Sequence, residues 1–187
     1  MSYNQTISNQ TSLFNTGKKI LDATCSYAHI WPKFATVRID IRPETKPDMV
    51  MDAKNLKFPD NYFDEIYCDP PHLLRKSDDL TKANFRQRQR GRKLSLLQRY
   101  YFWHNMDEWL IFVEKTNKEF FRCLKPNGTV YYKMTDAKGA VTIKSLIDGY
   151  TNFKLIEDKA VKSKVNWKTS NSMAHYITFR RQSNDTN

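Results

Sequence analysis

Four short apolar segments early in the chain each run into an aspartate. Lys19–Thr24 (KILDAT) contains Asp22, Thr36–Ile41 (TVRIDI) contains Asp40, Asp48–Met51 (DMVM) precedes Asp52, and Phe63–Cys68 (FDEIYC) precedes Asp69. Each reads as a strand, and turn-forming or helical stretches separate them, one of these helical around Ala28 to Phe34. Strands alternating with such connections predict an α/β domain of the Rossmann-like kind, with a mostly parallel, doubly wound sheet. In open sheets of this type ligands bind beyond the carboxyl ends of the strands, near the point where strand order reverses. An acidic residue at four successive strand ends is therefore a pattern with a chemical meaning, which solubility alone would not produce.

The remainder of the chain continues the alternation after one long interruption. Met106–Leu124 repeats apolar residues at helical spacing (Trp109, Leu110, Val113, Phe120, Phe121, Leu124), and Lys125-Pro126-Asn127-Gly128 ends it, with Gly128 expected to supply the turn. A fifth strand is expected over Thr129–Met134, a helix near Ala140–Tyr150, and strands over Phe153–Lys159 and Ala174–Phe179. Residues 17–182 form one domain on this reading, flanked by a loose amide-rich arm (1–16) and a polar tail (183–187). The interruption at 73–105 is a basic insert, in which Arg86, Arg88, Arg90, Arg92 and Lys93 are candidates for substrate contact. The formal net charge of +11 favours a polyanionic partner, of which nucleic acid is the commonest. Tyr100, Tyr101, Phe102 and Trp103 close the insert and are candidates either for stacking on bases or for the core.

The three cysteines, Cys25, Cys68 and Cys123, are widely spaced and form no zinc-ligand set, so neither a disulfide framework nor a metal is expected. No segment reads as a membrane span or a signal peptide, so the expectation is a cytoplasmic protein, host-cell cytoplasm included, with no membrane partner.

The row of aspartates suggests a nucleoside-bearing ligand. Asp40, with Ile41 beside it, follows Asp22 by about 18 residues, an offset at which a carboxylate receives ribose hydroxyls in folds of this type. Asp52, leading into Ala53, is placed to accept from an adenine amine. Asp22, Ala23, Thr24, Cys25 and Ser26 are expected to wrap the rest of that ligand with backbone amides. The sharpest local signal is Asp69-Pro70-Pro71-His72. Two prolines fix two φ angles directly after a strand, holding the Asp69 carboxylate and the Pro70 carbonyl still. Two such acceptors, one for each N–H of a planar exocyclic amine, would favour tetrahedral nitrogen and aim its lone pair at an electrophile. His72 would then offer a ring to stack on the base.

These segments resemble the class I S-adenosylmethionine-dependent methyltransferases, in particular the amino-methyltransferases with a (D/N)PP(Y/F/W/H) tetrapeptide. LDATCSYAHIW is similar to their first motif, RIDIR to the second, MDAKNLKFPDNYFDEIYCDPPH to the third and fourth, and LKPNGTVYYKM to the region of the fifth strand. With DPPHL and the late strand Met173–Phe179, the chain looks closest to small phage-type members, over roughly residues 19 to 180. The resemblance implies S-adenosylmethionine as cofactor, a seven-stranded sheet whose last strand is antiparallel, and catalysis at Asp69, Pro70, Pro71 and His72.

One departure stands out: the first motif normally carries glycines, and this loop has none. Two functions from different classes therefore remain. One is methylation of a base amine, DNA adenine N6 or cytosine N4 favoured over RNA. The other is a degenerate methyltransferase fold that binds nucleic acid or supports a catalytic partner. A homodimer or a partner subunit is left open.

Overall fold

The computed structural model describes residues 17–25, 35–74, 103–136, 139–162 and 173–182. Their strands are β1 (Ile20–Asp22), β2 (Val37–Asp40), β3 (Met49–Val50), β4 (Phe63–Cys68), β5 (Leu124–Asp136), β6 (Phe153–Lys162) and β7 (Met173–Arg181), with helices α1 (Met106–Cys123) and α2 (Ile143–Gly149). The seven strands form one sheet in the order β3-β2-β1-β4-β5-β7-β6. Pairings from β3 across to β5 are parallel, whereas β7 runs antiparallel to both β5 and β6. The sheet is thus mixed, with the last strand of the chain reversed.

Sequence and core packing agree along β5, where period-2 alternation buries Val130, Tyr132 and Met134 on one face. On that face Tyr132 meets Phe120 of α1, Tyr150 at the end of α2, and Phe179 of β7. Thr116 accompanies the two tyrosines: Tyr150 Oη donates to its Oγ1 at 3.1 Å, so that buried hydroxyls have partners. Asn105 caps α1 by accepting from the Glu108 amide at 2.8 Å, and Thr142 caps α2 in the same way for Ser145. The helices dock tightly on one another. Trp109 Nε1 donates to Ser145 Oγ at 2.8 Å, and a Cβ at Gly149 would collide with Val113.

Helices on both faces were expected, but among the described residues both helices lie on the face just named. The stretch expected to be helical at 28–34 lies outside the described residues, as do the arm, the tail and most of the basic insert.

Two boundaries differ from the sequence reading for a clear reason. Strand β5 begins at Leu124, directly at the end of α1, so Lys125–Gly128 belongs to the strand rather than forming a stop before it. The positive φ of 62° falls on Asn127, not on Gly128. Gly128 serves close packing instead: a Cβ there would lie 2.8 Å from the Lys125 carbonyl oxygen and 3.2 Å from that of Asp64. Gly128→Ala is expected to destabilise the domain by about 1–3 kcal/mol, because backbone must move to admit the methyl. Urea denaturation checks this, and an unchanged midpoint would refute it.

Candidate functional site at the switch point of the sheet

Strand order reverses between the parallel neighbours β1 and β4: β2 and β3 lie to one side, β5 to the other. The crevice at a switch point of this kind opens at the carboxyl ends of those two strands. Asp22 and Asp69 stand there, and a hydrogen bond ties the two ends together. The Asp69 amide donates to Thr24 Oγ1 at 2.7 Å.

The loop after β1 departs from its expected role. Ala23 N donates to the Tyr67 carbonyl (2.8 Å), Thr24 N to Asp22 Oδ1 (3.2 Å), and Cys25 N to the Ile39 carbonyl (3.0 Å). These three amides are occupied within the fold and do not offer a cradle of donors to a ligand. Ser26 lies outside the described residues.

What this loop does present is the Asp22 carboxyl. It is 2% exposed, and its Oδ2 has no hydrogen-bond partner among the described residues. Burial pushes its pKa from 3.8 up to about 7, against the Thr24 amide and Arg38, which hold it down. A buried acid with an orphaned oxygen is chemically suited to a cationic or hydrogen-donating group of a ligand. Cys25 is buried against Thr45, with its thiol pKa pushed up to about 11 by burial, so it is a packing residue.

Asp40, at the end of β2, is also buried, and Arg42 holds both of its oxygens. Arg42 Nε lies 3.0 Å from Oδ1 and Nη2 3.0 Å from Oδ2, and the Arg42 amide adds a third bond at 3.0 Å. Asp40 is thereby held by three bonds from Arg42, two from its side chain and one from its amide. Ile41, next to it, is 47% exposed and offers apolar surface on the same rim. Asp52 sits in an Asx turn, accepting from the Lys54 amide at 2.9 Å, while Ala53 packs into the core. Arg122 of α1 fixes the following loop through the carbonyls of Leu56 (2.9 Å) and Phe58 (2.7 Å) and through Asp60 (2.9 Å).

The Asp69–His72 turn is anchored from three sides. Besides the Thr24 bond, Trp103 Nε1 donates to the Pro71 carbonyl at 2.5 Å, and Val141 N donates to the His72 carbonyl at 2.8 Å. Trp103 itself packs on Trp109 and Phe112, so of the aromatics closing the insert this one is core. Trp103 N also donates to the Leu73 carbonyl at 3.0 Å, which brings the two ends of the insert together beside His72. Arg86, Arg88, Arg90, Arg92 and Lys93, with Tyr100, Tyr101 and Phe102, lie outside the described residues.

His72 is partly exposed. Its Nδ1 is buried with no hydrogen-bond partner among the described residues, and burial holds its pKa below the usual value. The Pro70 backbone and the Asp69 charge act in the opposite sense, though burial outweighs them.

Sequence reasoning missed Lys133, Thr24 as a pin for Asp69, and Trp103 as the anchor of Pro71. Lys133 Nζ lies 2.6 Å from Asp69 Oδ2. Its signal was present in Tyr132-Lys133-Met134: a charge at the alternate position of a buried central strand.

The strand order with its single reversed strand is the Rossmann-like form found in class I methyltransferases. No model of a known family matches the sequence, and no curated protein does either. Solved structures do match. An S-adenosylmethionine-dependent methyltransferase from Methanosarcina mazei is 14% identical, over 97% of this chain and 99% of that one, with a TM-score of 0.55. The N-methyltransferase NodS from Bradyrhizobium japonicum, in complex with S-adenosyl-L-homocysteine, is 14% identical over 95% and 87%, with a TM-score of 0.54. The [4+2]-cyclase SpnF is equally similar, 14% identical over 97% and 84%, with a TM-score of 0.55. At this identity the likeness defines the fold, and the cyclase illustrates that one fold hosts different reactions. Chemistry has to be argued from the site.

Proposed function

We propose that this chain is an S-adenosylmethionine-dependent methyltransferase acting on an exocyclic amine of a nucleic-acid base, adenine N6 or cytosine N4. The observation that carries this reading is the Asp69-Pro70-Pro71-His72 turn, immobilised at the switch point of the sheet beside the buried, half-unpartnered carboxyl of Asp22. The residues present fit the cofactor. Asp40, buried at the end of β2, is the candidate for the ribose hydroxyls, Asp52 is half-exposed on the same rim, and Asp22 offers its Oδ2. When bound, S-adenosylmethionine supplies an electrophilic methyl group on a sulfonium.

The chain's own residues act by holding the amine. Asp69 Oδ1 has no hydrogen bond from the described residues and accepts one N–H, while the Pro70 carbonyl accepts the other. Thr24 and Trp103 keep these two acceptors fixed, so that their reorganisation adds little to the barrier. The target base must leave its stack to reach them, from a duplex or from a single strand. The basic insert, whose two ends meet beside His72, is the candidate phosphate contact. Changing Arg86, Arg88, Arg90 and Arg92 together to Gln is expected to weaken nucleic-acid binding and to flatten its dependence on salt, by roughly one unit of log–log slope per lost phosphate contact. An unchanged slope would remove the insert from the interface.

Calorimetric titration with S-adenosylmethionine and its demethylated product tests the cofactor. Micromolar binding that is lost in Asp40→Ala supports an enzyme and leads to a methyl-transfer screen over DNA and RNA. The occupied amides of Ala23, Thr24 and Cys25, together with the Arg42 clamp on Asp40, favour the second reading, a degenerate scaffold that binds nucleic acid. Absence of cofactor binding alongside retained nucleic-acid binding would establish that reading instead.

A further inference from the structure

Asp69 does not face the crevice alone. Lys133 on the adjacent strand β5 reaches its Oδ2 at 2.6 Å, and both side chains are 23% exposed. Tyr132 and Met134 fill the core on either side in sequence, so Lys133 projects from the opposite face, where no helix packs among the described residues. The core has no use for this cation, and a part-buried ion pair loses much of its Coulombic gain to desolvation. Its chemistry is more informative. An ammonium carries three donors, of which Asp69 takes one. The carboxylate in turn leaves Oδ1 for another donor. The pair therefore presents an acceptor and a donor side by side at the mouth of the crevice, next to the anchored proline turn.

We infer that Asp69 and Lys133 together read one edge of the target base: Asp69 Oδ1 accepts from the amine, and Lys133 Nζ donates to the ring nitrogen beside that amine. This rests on the proposed function and narrows its substrate. On their Watson–Crick edges adenine (N6–H beside N1) and cytosine (N4–H beside N3) offer a donor next to an acceptor, which complements the pair. The guanine amine is flanked on that edge by N1–H, so a donor would face the lysine. Uracil and thymine have no amine at all. Lys133 is thus a specificity-determining residue, selecting amines flanked on the Watson–Crick edge by a ring lone pair. A site that hydrogen-bonds such a group rejects analogues lacking it, because the buried partner is then left unpaired.

The test measures methyl transfer by the full chain to single-stranded oligonucleotides carrying adenine or cytosine at the target, and to matched strands carrying 1-deazaadenine or 3-deazacytosine. In these analogues a C–H replaces the ring acceptor. The wild-type chain should lose roughly 10- to 100-fold in kcat/KM on the deaza strand. Lys133→Met should lose a similar factor on the parent strand and little more on the deaza strand, while Lys133→Arg keeps a donor and most of the activity. Should Lys133→Met fail to fold, as judged by circular dichroism, the wild-type comparison of parent with deaza strand decides the matter unaided. Equal wild-type rates on both strands would overturn the inference while leaving the methyltransferase reading intact. No transfer to any oligonucleotide would overturn that reading and this inference with it.

Discussion

Asp69→Ala is expected to lower methyl transfer by roughly 10³-fold or more while leaving cofactor affinity and fold stability close to wild type. A positioned acceptor in contact with the reacting group is worth this much in comparable chemistry. Two observations separate the catalytic effect from a structural one. The bond that fixes the turn is made by the Asp69 amide to Thr24, which alanine retains. The only side-chain partner among the described residues is Lys133, in a pair 23% exposed on each side, whose loss costs on the order of 0–1 kcal/mol. Asp69→Asn should fall between, since it keeps an acceptor oxygen but loses the charge that holds Lys133. Single-turnover methyl transfer beside calorimetric cofactor titration measures both quantities. Preserved turnover in Asp69→Ala would eliminate the proposed mechanism, whereas loss of cofactor binding and activity together would move Asp69 from the reaction to the scaffold.

The second large effect is on stability and its pH dependence, through Asp22. Burial raises its pKa from 3.8 to about 7 in the folded chain. Between these values the folded state keeps a proton that the unfolded state has released. The contribution of Asp22 to stability is therefore greatest below about pH 4, falls as pH rises toward 7, and levels off above, by an amount on the order of 4 kcal/mol across the window. Arg38 opposes this shift, while Asp40 and Asp69 reinforce it. Asp22→Asn keeps an oxygen for the Thr24 amide and removes the titration. Its stability should match wild type near pH 4 and exceed it at pH 8, a comparison made by urea denaturation across that range. Parallel curves for the two chains would show that Asp22 does not titrate in this window. On the proposed function a cationic ligand favours the ionised form, so binding near pH 6 should release a proton. Calorimetry in buffers of different ionisation enthalpy detects this release.

Asp22 also marks the boundary between what could be read from the chain and what could not. Its position at the end of a strand was legible, since KILDAT has the composition of a short buried strand. Its state was not, because the pKa shift comes chiefly from burial beneath other segments, which Asp69 and Asp40 reinforce and Arg38 opposes. The same holds for Asp69. The double proline announced a rigid turn, but Thr24, Trp103 and Lys133, which fix and pair it, stand 45, 34 and 64 positions away.

Local sequence determined the strands, the long helix α1 and the acidic strand ends, because period-2 and helical alternation are properties of neighbouring residues. It also carried the resemblance that named the fold and led to the expectation of a reversed last strand. Tertiary structure decided the rest. It extended β5 through Lys125–Gly128, because α1 delivers the chain directly alongside β4. It turned the amides after β1 inward, because the neighbouring strands supply carbonyls at the right height. It also set Lys133 against Asp69, because adjacent parallel strands bring side chains into register whatever their separation along the chain. Contacts of that kind depend on which strands become neighbours, and no pattern within a single segment encodes that choice.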